Sequence, residues 1–158
     1  MNAARRALEP VIRRLLHGYW RFARGLTLGV RGLVIDGQGR VLLVKHSYVT
    51  GWHLPGGGVE IGETLSDALT RELREEANVA LVDPPVLHGM FFNVRISRRD
   101  HVAVFVVRTF RQGPEPVTDR EIVDHRFFAL SELPEDTTPG THARIAEVMR
   151  GAAISERW

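Results

Sequence analysis

Apolar and polar positions along this chain change period several times, and each change marks an element. From Pro10 to about Ala23, the residues Val11, Ile12, Leu15, Leu16, Tyr19, Phe22 and Ala23 recur at helical spacing, with Leu8 one turn earlier. Arg13, Arg14, His17, Arg21 and Arg24 fill the opposite side, which predicts a basic amphipathic helix interrupted in propensity at Gly18. Leu26 to Ile35 is dense in β-branched and aliphatic residues, Asp36-Gly37-Gln38-Gly39 supplies a turn, and Arg40 to Lys45 reads as the returning strand of a hairpin. The helical period returns from about Thr64 to Ala77. At about 100° per residue, Leu65, Ala68, Leu69 and Leu73 share one side. Thr64 is placed to cap the first turn with Asp67 at the third helical position, and Asn78 tolerates the left-handed backbone that ends a helix. Beyond Pro84-Pro85, Val86 to Ile96 and His101 to Phe110 predict a second strand pair around Ser97-Arg98-Arg99-Asp100. Gln112 to Arg120 is a polar, proline-bearing loop, and a last helix from about Thr141 to Met149 turns Ile145, Val148 and Met149 inward.

Composition narrows the class. At 158 residues with 44% hydrophobic and 25% charged residues, the chain has the size and balance of one globular domain. It contains no Cys, which excludes disulfides, thiol catalysis and thiolate-bound metals and fits a cytoplasmic location. No apolar run approaches a membrane span, and the start lacks the apolar core of a signal peptide. The net charge of +2 conceals an asymmetry: Arg5, Arg6, Arg13, Arg14, Arg21, Arg24 and Arg31 face the single acid Glu9 over the first 31 residues. The chain therefore divides into a basic helix over residues 1–25 and a domain over residues 26–158. Such a helix suits RNA or an anionic membrane surface, or packs its apolar side on its own domain or on a second subunit of a homodimer. Nothing points to DNA.

The candidate chemistry lies at the end of the helix that follows the glycine-rich turn Pro55-Gly56-Gly57-Gly58. Glu72, Glu75 and Glu76 fall on much the same side as the leucines, so the inward stripe changes from apolar to carboxylate partway along. Adjacent carboxylates turned inward repel one another and resist desolvation, and a hard divalent cation, Mg²⁺ or Mn²⁺, would relieve both costs. The glycines permit positive φ and close approach of backbone to a metal or a phosphate, or form no more than a tight turn.

Gly57, Glu63, Arg71, Glu72, Leu73, Glu75, Glu76 and Val79 fall in register with the pattern GX5EX7REUXEEXGU, in which U is aliphatic, so this stretch resembles the Nudix box; Asn78 stands where the family has Gly. The resemblance covers roughly Leu26 to Arg150 and implies an α/β fold, an αβα sandwich with a mixed β-sheet between the box helix and the C-terminal helix. It also implies a hydrolase that uses Mg²⁺ or Mn²⁺ to cleave a pyrophosphate bond in a small-molecule nucleotide: a nucleoside diphosphate linked to another moiety. By the same resemblance Glu75 and Glu76 are the main metal ligands, a carbonyl at Gly57 joins them, and Glu72 is a third ligand or the base. Arg71 pairs with Glu63 and holds the loop on the helix, or else touches phosphate itself. Glu121 to Phe128 looks like the acidic loop and late strand from which many members take another ligand or base, with Glu121 the candidate and Asp124 the reserve. An alternative is a Nudix-fold binding module that holds RNA or an anionic membrane through its basic helix.

Substrate contacts are least specified. Trp52 is a stacking surface for a base or a plug beneath the loop, and His53 reads as a hydrogen-bonded structural residue. Phe91, Phe92 and Asn93 border a pocket or belong to the core. Arg95, with Arg98, Arg99 and Arg108, is a candidate for phosphate.

Overall fold

The computed structural model describes Tyr19 and residues 25–114 and 121–158. The basic helix expected over residues 1–25 lies outside the described residues, and with it the RNA, membrane and second-subunit contacts assigned to it. Among the described residues, eight strands and two helices follow in the order β1 (Thr27–Val34), β2 (Val41–His46), β3 (Trp52–His53), α1 (Leu65–Ala77), β4 (Val79–Leu81), β5 (Val86–Phe92), β6 (Asp100–Val107), β7 (Phe110–Gln112), β8 (Ile122–Phe128) and α2 (Pro139–Arg150). No described helix is long and apolar enough to cross a membrane.

The strands form a mixed set. β6 lies between β1, to which it is parallel, and β5, to which it is antiparallel; β2 lies between β3 and β8, both antiparallel; β4 pairs with β7. The hairpin expected between Leu26–Ile35 and Arg40–Lys45 is therefore not a ladder. Its turn exists, with the Asp36 carboxylate accepting the amides of Gln38 and Arg40 at 2.9 Å, but only Ile35 and Val41 bridge the two strands. β1 has better partners: β6 on one edge, and the glycine-rich loop on the other. The amides of Val30 and Gly32 bond the carbonyls of Gly57 and Pro55, and the Val59 amide bonds Leu28. The strand pair expected around Ser97–Asp100 does form, as β5 and β6.

Alternation along the strands divides the core between two faces. Val30 and Val34 of β1, Leu42 of β2 and Ala103, Phe105 and Val107 of β6 pack on Ala68, Leu69, Leu73 and Ala77 of α1. Leu33, Ile35, Val41, Leu43, Val102 and Val104 face the other way, against Ile145, Val148 and Met149 of α2. Helices thus cover both faces of the strand layer. A Cβ at Gly32 would meet Leu73 Cδ2 at 3.0 Å, so the missing side chain lets α1 sit close on β1.

Local chemistry sets the ends of α1. Thr64 accepts from the Asp67 amide while Asp67 accepts from the Thr64 amide, each at 3.1 Å, a reciprocal capping box. Asn78 closes the helix at φ 48°, ψ 39° and adds a side-chain bond to the Pro114 carbonyl, so it also ties the helix end to the chain after β7.

Candidate metal and phosphate site

The end of α1, the glycine-rich loop and the start of β1 enclose a cavity of about 730 Å³. Glu72, Glu75, Glu76, Gly56, Gly57, Gly58, Arg31, Tyr48, Asn93, Ile96, Asp100 and Glu121 are among the residues that line it. Two glycines make that assembly possible. Gly56 has φ 137°, and a Cβ there would meet the Val30 carbonyl oxygen at 2.2 Å; a Cβ on Gly57 would lie 2.3 Å from Glu72 Oε1. Any side chain at either position would push the loop off β1 or the carboxylate off the loop.

The three glutamates of the helix are not equivalent. Glu76 is 8% exposed, and its Oε2 accepts the Gly56 amide at 2.7 Å. Burial raises its pKa to about 7, with Glu72 and Glu121 adding repulsion, against the opposing effects of the Gly56 bond and the Arg31 charge. His46 Nε2 stands 3.5 Å from Glu76 Oε1. The contact is not an ion pair at neutral pH, because burial and the nearby Arg31 hold His46 down to about 4, and it stays neutral. Glu72 accepts Arg71 Nη1 at 2.7 Å, and Glu75 extends toward solvent at 61% side-chain exposure.

Arg71 holds the loop to the helix. Its Nε and Nη2 meet the two oxygens of Glu63 at 2.9 and 3.1 Å, and Nη2 also reaches the Gly58 carbonyl at 3.1 Å. The Arg71 fork lowers Glu63 to about 2, assisted by the Glu60 amide. With its donors so occupied, Arg71 is directed to the loop rather than into the cavity.

As placed, no three His, Asp or Glu side chains among the described residues stand close enough together to hold a metal ion. The reason is visible in their partners: Glu72 is drawn to Arg71, Glu76 to the Gly56 amide, and Glu75, exposed, has Arg71 Nη1 at 3.4 Å. The donor set still fits a hard divalent cation. It is all oxygen, it shares one cavity, and at its centre is a buried carboxylate that burial and like charge leave short of positive charge. The Gly57 carbonyl accepts the Val30 amide at 2.9 Å and keeps one lone pair free for any further role.

Residues 25–149 match the NUDIX domain. The chain belongs to that family. An RNA pyrophosphohydrolase of Halorhodospira halophila is 44% identical over 69 residues, 42% of this chain and 38% of that protein. An ADP-ribose pyrophosphatase of Methanocaldococcus jannaschii is 31% identical over 107 residues, 65% of this chain and 62% of its own. The chain thus spans less than two thirds of the length of each of these two curated relatives. A MutT NUDIX hydrolase structure from Burkholderia pseudomallei superposes with a TM-score of 0.68 at 26% identity, covering 78% of this chain and 98% of that one.

Several side chains of this Nudix domain lie elsewhere than expected. Trp52 is a plug, not a stacking surface: it is 6% exposed, its ring meets Phe128 edge-on at 4.9 Å, and it does not line the cavity. Phe92 also lies off the lining, its ring beside His101 at 5.4 Å, and Arg95 is exposed outside the cavity; from that turn Asn93 and Ile96 line it instead. His53 bonds the Thr50 carbonyl through Nε2 at 3.0 Å. Glu121 reaches the cavity whereas Asp124, on β8, pairs with Arg126. Arg31, His46 and Tyr48 escaped the sequence reading. A charged residue in the middle of an apolar strand was the available signal for Arg31.

Proposed function

We propose that this chain hydrolyses a pyrophosphate bond in a nucleoside diphosphate linked to another moiety, using Mg²⁺ or Mn²⁺ held by Glu72, Glu75 and Glu76. The observation that carries this is Glu76, a buried carboxylate held near neutrality at the wall of a cavity that it shares with two more box carboxylates. When bound, the cation supplies charge neutralisation for phosphate oxygens and a metal-activated water. The chain's own groups do the rest. The Gly56 amide orients Glu76, and Arg71 with Glu63 holds the loop and Glu72 in place. Glu121, exposed at the cavity with no side-chain partner among the described residues, takes the proton of the attacking water. Names of relatives supply the substrate classes to try, RNA and ADP-ribose among them.

The experiment is a product-release assay with Mg²⁺ and with Mn²⁺ over nucleoside triphosphates, ADP-ribose, nucleotide sugars, dinucleoside polyphosphates and 5′-triphosphorylated RNA. Turnover of at least one class, abolished by chelation and reduced roughly 10²-fold in Glu121→Gln, is expected. No turnover of any compound in the panel would overturn the proposal.

A further inference from the structure

Arg31 occupies the middle of β1, and its side chain enters the carboxylate-lined cavity. Its Nη1 is enclosed by protein and has no hydrogen-bond partner, and Arg31 joins none of the ion pairs among the described residues. Its charge is nonetheless close enough to act on Glu76, His46, His53 and Tyr48. Arg71 is the contrast: each of its nitrogens is answered by Glu63, Glu72 or Gly58. Arg31 is half-buried, and an enclosed N–H with no acceptor is costly. Glu76 does not answer it, since that carboxylate has turned Oε2 to the Gly56 amide. What Arg31 lacks is an anion with paired oxygens, the geometry of phosphate.

The same cavity repels a bare anion through Glu72, Glu75 and Glu76. An anion bound here must therefore meet cations at the carboxylate wall and still present oxygens to Arg31. A diphosphate does both, one phosphoryl group at each end. Building on the hydrolase reading above, we propose that Arg31 is a phosphate-binding residue of this site, anchoring the phosphoryl group not held at the carboxylate wall.

Calorimetric titration of inorganic pyrophosphate with Mg²⁺ tests this without turnover of a nucleotide, with thermal unfolding as the check on folding. Arg31→Met is expected to weaken pyrophosphate binding by about 10- to 100-fold. It should raise KM on any turned-over compound by a similar factor. Arg31→Lys, which keeps the charge without the planar fork, should fall between the two and serves if Arg31→Met does not fold. Pyrophosphate affinity unchanged in the folded variants would overturn the role of Arg31 while leaving the hydrolase reading intact, as would an altered pH profile with unchanged KM. Arg31-dependent pyrophosphate binding by a wild-type protein that turns over no nucleotide would instead support the anion site and overturn the hydrolase reading.

Discussion

Glu76 on α1 and Glu147 on α2 are both inward-facing helix carboxylates, 8% and 7% exposed, yet they live in opposite surroundings. Glu147 accepts Arg144 Nη2 at 2.5 Å, His88 Nε2 at 2.8 Å and the Ser155 amide at 3.0 Å. Arg144 is itself fully buried, bonds the Arg157 carbonyl at 3.1 Å and lies 3.8 Å over the Phe91 ring. Burial would raise Glu147, but those three bonds outweigh it and hold the carboxyl below its ordinary range. Glu76 has only the Gly56 amide and the Arg31 charge to set against burial, with Glu72 and Glu121 adding repulsion, and is pushed up to about 7. Glu147 is saturated with donors and Glu76 is kept short of them, the contrast on which the proposed cation site rests.

Exchanging the two residues for their amides is the sharpest way to separate these roles. Glu76→Gln is expected to fold and to lose metal-dependent turnover on the order of 10³-fold, measured as product release at saturating Mn²⁺. Glu147→Gln breaks a buried pair and leaves Arg144 without its counter-charge. Its expected cost is about 3–5 kcal/mol in urea unfolding, with kcat per folded molecule unchanged.

The two carboxylates also predict opposite responses to pH. The folded pKa of Glu76 lies above its ordinary value of 4.5, so its share of stability is fully present below that value and is lost as pH rises through about 7. The metal-free protein should thus lose on the order of 3 kcal/mol between about pH 4.5 and pH 8 at this site. Mn²⁺ at pH 8 should restore much of it, and Glu76→Gln should remove both effects, as followed by unfolding across pH. The folded pKa of Glu147 is lowered, so its share is present above the ordinary carboxylate pKa and is lost as pH falls through the folded value.

The smallest expected effect concerns Asn78. Replacement by Gly relieves a left-handed φ of 48° but gives up the bond to the Pro114 carbonyl. Those terms oppose each other, and the net change should stay within about 1 kcal/mol by urea unfolding.

What could be read in the sequence was local. The limits of α1, its capping box, its left-handed end and the line of Glu72, Glu75 and Glu76 all depend on residues within a few turns of one another. Pairings across distance were not legible. β1 takes as its parallel partner β6, with Thr27 opposite Asp100, and a strand's amino acids do not name so remote a partner. The adjacent strand Arg40–Lys45 looked the natural choice on sequence separation alone. Trp52 misled because an indole near a loop serves equally as plug or platform, and only its contact with Phe128 decides. The Arg144, Glu147 and His88 cluster was invisible because charged residues three apart on a helix ordinarily face water.

The claim that Glu76 is the under-satisfied centre of a cation site is tested most directly by calorimetric titration of Mn²⁺ into metal-free protein at pH 8, with Glu76→Gln and folded Glu147→Gln beside the wild type. Wild type and Glu147→Gln are expected to bind alike and Glu76→Gln to bind ~10-fold or more weakly. Equal Mn²⁺ affinity in wild type and folded Glu76→Gln would contradict it.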